Sequence, residues 1–112
     1  MMAKFMAIYA GAPNLGGRSD IDGAAIAAGM AAWRGWGERY ASQIVDAGGP
    51  LGKTKRVCHD GISDISNAMT GYVIIEAESH EAAAKMFEKH PHFAIFPGDA
   101  VEIMPCMPIP TA

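Results

Sequence analysis

Three apolar runs set the frame of this chain: 5–10, 72–75 and 101–104, the last interrupted only by Glu102. Each is too short for a buried helix and is bounded by turn formers, which is the signature of a strand. Residues 4–10 (KFMAIYA) read as the first strand, stopped by Gly11 and Pro13. Residues 70–77 (TGYVIIEA) are the clearest strand, and 100–106 are the last. A further strand is read over 50–58, at a sheet edge because Pro50 has no N–H for a ladder.

Between the strands the period changes. Residues 11–19 form a loop rich in Gly, Pro and Asn, and Ser19 and Asp20 are cap residues for a helix beginning at Ile21. From 21 to 47 the pattern is helical, with Met30, Trp33, Tyr40 and Ile44 near one face. Gly29, Gly35 and Gly37 weaken it, at about 1 kcal/mol each against alanine. The expectation is a short helix, a kink or break before Trp33, a firmer helix to Asp46, and a stop at Gly48 and Gly49. Residues 60–67 read as a polar turn. Ser79 caps a second helix through Lys89, burying Ala83, Met86 and Phe87, and Pro91 ends it. Residues 93–98 read as a loop, and Pro105, Pro108 and Pro110 keep the tail extended.

The order is βαββαβ, so the predicted fold is α+β, a ferredoxin-like domain with both helices on one face of a four-stranded sheet. The strands add a further expectation. A sheet with one wet face alternates apolar and polar residues, whereas residues 5–10 and 72–75 are apolar at every position. Two helices cover one face only, so a second copy of the chain is expected on the other, making a homodimer.

The length of 112 residues fits one domain, with a core over about 3–107 and an extended tail over 108–112. Half of the residues are hydrophobic and 19% are charged, an ordinary globular balance. A net charge of -3 with scattered basic residues gives no field for nucleic acid. No apolar run approaches a membrane span or a signal peptide, and with two cysteines, Cys58 and Cys106, the expected location is the cytoplasm with free thiols.

Several motifs then resemble the YCII-related family: IVDAGGPLGKTKRVCHDG at 44–61, TGYVIIEAESHEAA at 70–83, HPHFAIFPGDAVEIMP at 90–105, and the Trp33 and Trp36 pair upstream. The resemblance covers most of the chain. It implies a dimeric α+β barrel, with two ferredoxin-like sheets packed face to face, and it assigns no reaction. Some members are proposed to use a His–Asp pair in a cleft, with the histidine on the first helix. Here no histidine lies between Met1 and Val57.

The candidate chemistry centres on His90 and His92, which flank Pro91. In extended chain, residues two apart point the same way, so both imidazoles can reach one site. The bland alternative is that one serves the helix C-terminus and the other packs against a loop. A metal site needs three or four ligands, and no third is marked, so neither a metal nor another cofactor is expected. The run AGGPLGKT at 47–54 fits a relaxed phosphate-loop pattern, but a helix precedes it and a strand comes after it, the reverse of what that motif requires. Cys58, His59 and Asp60 are adjacent and cannot converge as a triad. Trp36, Tyr40 and Tyr72 read first as core or interface aromatics. Glu76 lies in an apolar strand and needs a partner, for which Lys55 is a candidate; Glu102 raises the same question.

Two functions are carried forward. The first is a cofactor-free small-molecule enzyme in which His92 and His90 are the catalytic candidates and Trp36, Lys55, Tyr72 and Glu76 bind substrate. Proton transfer, as in an isomerase or lyase, suits such a cleft. The second is a non-catalytic ligand-binding or interaction module that uses the barrel as a scaffold. A deep cleft lined by His92 and a carboxylate favours the first, and a filled core with both histidines wet favours the second.

Overall fold

The computed structural model describes residues 2–11, 23–94 and 100–110. Along the chain the elements are β1 (Ala3–Ala10), α1 (Gly23–Arg39), β2 (Ile44–Pro50), β3 (Thr54–Cys58), β4 (Gly61–Ile65), β5 (Met69–Ala77), α2 (His80–Lys85), α3 (Pro91–Ala94) and β6 (Ala100–Pro105). Strands β2, β5, β1 and β6 form one sheet in that spatial order, with antiparallel pairing throughout. Strands β3 and β4 form a separate hairpin. Setting the hairpin aside, the order is βαββαβ, and the chain has a ferredoxin-like α+β fold.

Alternation along the strands divides the sheet into two faces. Phe5, Ala7 and Tyr9 of β1 point the same way as Val73, Ile75 and Ala77 of β5 and join one buried cluster. Trp36 from α1, with Ala83, Met86 and Phe87 from α2 and just beyond it, completes that cluster, so both helices cover this face. On the other face Met6 lies opposite Ile74 and Met104, and Ile8 lies opposite Tyr72 and Glu102. Met6, Ile8, Tyr72 and Ile74 are only half-buried there, and Met104 is exposed.

The second helix starts as its sequence dictates. Ser79 is in extended geometry, and its hydroxyl accepts the N–H of Ala82, satisfying one donor of the first turn. At the other end, the Trp36 indole N–H donates to the Met86 carbonyl at 2.9 Å. A large core residue thus also serves a backbone group left over near the helix terminus.

Four expectations need correction. The helix at 23–39 is continuous rather than broken before Trp33, since Gly35 and Gly37 sit in a regular turn. It ends at Arg39, and residues 44–50 are a strand, not helix. The cause is tertiary: Ile44 and Val45 are β-branched, and pairing of Ile44, Asp46, Gly49 and Pro50 with β5 satisfies that strand's outer edge. Gly48 therefore does not stop a helix but makes a bulge within β2. Its φ is +63°, and a Cβ there would collide with the Tyr72 carbonyl. Residues 61–65 are a strand rather than part of a polar turn. The second helix ends at Lys85 rather than Lys89, so Pro91 opens a short helix instead of ending that one. The proposed caps Ser19 and Asp20 lie outside the described residues, as does most of the 93–98 loop.

Candidate functional site

The sequence His90-Pro91-His92 builds its own geometry. Proline at the first position of α3 brings no N–H, and its fixed φ suits a helix start. The next N–H belongs to His92, and it donates to Nδ1 of His90 at 3.0 Å. His90 thus caps α3 as an aspartate or asparagine commonly would. This local turn, not an extended strand, brings the two rings together.

That bond fixes the chemistry of His90. A nitrogen that accepts a hydrogen bond carries no proton, so neutral His90 holds its proton on Nε2. Nε2 lies 3.1 Å from the Tyr9 hydroxyl oxygen and donates to it. The ring is 0% exposed. Trp33 and Trp36 approach it at 4.4 and 4.5 Å between centroids, and Phe87 stacks at 5.7 Å. Burial, and then the neighbouring His92, lower its pKa from 6.5 to about 4. Burial likewise pushes the Tyr9 hydroxyl well above its ordinary value.

His92 is held differently. Its Nε2 lies 2.9 Å from the Ala10 carbonyl and 3.1 Å from the Ala100 carbonyl. Carbonyl oxygens only accept, so Nε2 must carry the proton. The ring is 5% exposed and packs 5.2 Å from Tyr9 between centroids. In neutral His92 the basic lone pair is therefore on Nδ1. The two carbonyls belong to the end of β1 and the start of β6, so the sheet itself orients this imidazole.

Of the residues singled out in the sequence, the structure brings His90, His92 and Trp36 together. Tyr72 and Glu76 lie on β5 positions that alternate away from Val73 and Ile75, hence on the opposite sheet face. Lys55 sits on the hairpin, where its ammonium pairs with Asp64 at 2.6 Å instead of meeting Glu76. Among the described residues, Nε2 of His92 meets two main-chain carbonyls rather than Glu76 or Glu102. Neither histidine is wet. Tyr9 and Trp33 are the members that sequence reasoning missed; Tyr9 shares the phase of Phe5 and Ala7, and Trp33 the phase of Trp36. Among the described residues, no three His, Cys, Asp or Glu side chains converge as a metal site would require.

No protein-family model matches the chain, and no curated protein sequence does so either. Among solved structures, it is similar to 5-chloro-2-hydroxyhydroquinone dehydrochlorinase from Burkholderia phenoliruptrix, in complex with 2,5-dihydroxybenzoquinone. The TM-score is 0.54 at 20% identity, covering 93% of this chain and 91% of that one. At that identity the likeness concerns the fold. No described helix is long and apolar enough to cross a membrane.

Proposed function

We propose that the chain is a small-molecule enzyme that acts by proton transfer, with Nδ1 of His92 as the base, and that it works as a homodimer related to the YCII proteins. The observation that carries this reading is the pair of carbonyls from Ala10 and Ala100 on His92 Nε2. They keep the proton on one nitrogen and the lone pair on the other, and they stabilise the imidazolium formed when Nδ1 takes a second proton. His90 is then a positioning residue. Its neutral ring caps the turn that carries His92 and orients the Tyr9 hydroxyl.

A proton passed between an imidazole and a substrate hydroxyl or activated carbon needs no cofactor. The surrounding Tyr9, Trp33 and Trp36 rings favour a flat, partly apolar substrate. The structural likeness to an enzyme of a chlorinated hydroxyhydroquinone supports a hydroxylated ring as the first class to try. The dimer rests on the half-buried open face of Met6, Ile8, Tyr72 and Ile74, which a second copy would cover.

The test is a spectrophotometric titration with 2,5-dihydroxybenzoquinone as probe, run on the wild type and on His92→Gln. Glutamine retains an N–H donor for the two carbonyls and lacks the basic nitrogen. Saturable binding that weakens about tenfold or more in the variant supports the reading. Equal behaviour of the two proteins, with both folded by circular dichroism, would contradict it.

A further inference from the structure

A cavity of about 700 Å³ opens between the β3–β4 hairpin and the junction of β2 with β5. That volume falls in the range of small-molecule sites. Its wall is apolar at Leu51, Ile65 and Met69, three large side chains that remain exposed. Its charged members are Lys53, Lys55 and Asp64. Asp64 neutralises Lys55 across the hairpin, at 2.6 Å. Lys53 makes no ion pair with any described residue, so the cavity carries one uncompensated positive charge.

Neutral donors are already aligned beside it. The Asn67 side-chain amide donates to the Thr54 hydroxyl oxygen at 3.1 Å, which leaves the hydroxyl hydrogen of Thr54 to be donated elsewhere. The Asn67 carbonyl accepts the N–H of Met69, locking the turn that shapes the wall. The Gly52-Lys53-Thr54 run therefore does meet a cavity. It does so from a turn between two strands, without the helix N-terminus that would cradle a polyphosphate.

We infer that this cavity binds an organic monoanion, a carboxylate or phenolate on an apolar body, with Lys53 taking the charge and Leu51, Ile65 and Met69 taking the body. One net cation beside an apolar wall matches one anionic group on a small ring or chain, whereas a nucleoside triphosphate would leave most of its charge unpaired. The site is separate from the histidine cluster. The Thr70 hydroxyl on the cavity wall donates to the main-chain carbonyl of Tyr9 at 3.1 Å.

The probe is benzoate, with benzyl alcohol as its neutral counterpart, in amide-resolved NMR titrations of the intact protein. The inference expects saturable benzoate shifts centred on Gly52, Lys53, Ile65 and Asn67. In Lys53→Gln the apparent Kd should rise about fivefold or more. Benzyl alcohol should bind more weakly than benzoate to the wild type, and His92→Gln should titrate like the wild type. Shifts centred elsewhere, no saturation, or a benzoate affinity indifferent to Lys53→Gln would overturn it. So would a His92→Gln variant that loses benzoate binding, since the anion would then occupy the histidine site.

Discussion

The main-chain N–H of His92 donates to Nδ1 of His90 at 3.0 Å, and this bond sets the tautomer of the His90 ring. It removes Nδ1 of His90 from acid–base use and turns its Nε2–H toward Tyr9. It also fixes the turn that lets His92 reach the Ala10 and Ala100 carbonyls. Two histidines that look equivalent in sequence thereby take different parts.

His90 should be expensive to remove. His90→Ala leaves a void in the aromatic cluster, and it leaves the His92 N–H without its acceptor. The expected cost is about 2–4 kcal/mol in urea unfolding. A loss below roughly 1 kcal/mol would mean that the ring does not hold this cluster together.

Acid should destabilise the protein through the same ring. The folded pKa of His90 is about 4, below its ordinary value of 6.5. Between those values the unfolded chain binds a proton that the folded one refuses, so stability falls as the pH drops from about 6.5 toward 4. The loss is on the order of 3 kcal/mol at most for this group. Urea midpoints at pH 7.5 and 5 should differ less in His90→Gln than in the wild type. An identical pH slope in the two would show that other groups carry the acid sensitivity.

The two faces of β5 give opposite outcomes for neighbouring residues. Ile75 is fully buried under the helices, and Ile75→Asp should prevent folding. Ile74 is on the open face, so Ile74→Asp should leave a folded chain and split the proposed dimer. Sedimentation at micromolar concentration reads this. A wild type that sediments as a monomer would contradict the dimer.

His92→Ala should cost more stability than a surface histidine would, about 1–3 kcal/mol. The ring is 5% exposed, and its removal leaves two carbonyls without their donor. Thermal unfolding of the variant beside a control at exposed His59 measures the difference. Equal melting temperatures would show that the two carbonyl bonds contribute nothing.

Much of the fold was legible in the sequence, for identifiable reasons. The strands at 3–10, 69–77 and 100–105, and the Ser79 cap, are written in local pattern and cap chemistry. β2 was not, because Gly48 and Gly49 signal a helix stop as readily as a bulge, and only pairing with β5 decides. β4 was hidden because every residue of it is exposed, so no burial pattern marks it. In the site, His90 and His92 were recognisable from their spacing around Pro91. Tyr72 and Glu76 were grouped with the histidines because β5 is apolar on both faces, and the pattern alone cannot say which side meets the helices. Lys55 was misplaced for want of the hairpin that carries it.

The central claim concerns where the protons sit on two rings, and NMR of ¹⁵N-labelled imidazoles observes that directly. The account predicts that Nε2 carries the proton in the neutral ring of each histidine, and that His90 does not titrate until the pH falls toward 4. A neutral ring of either histidine with its proton on Nδ1, or a His90 that titrates near 6.5, would contradict it.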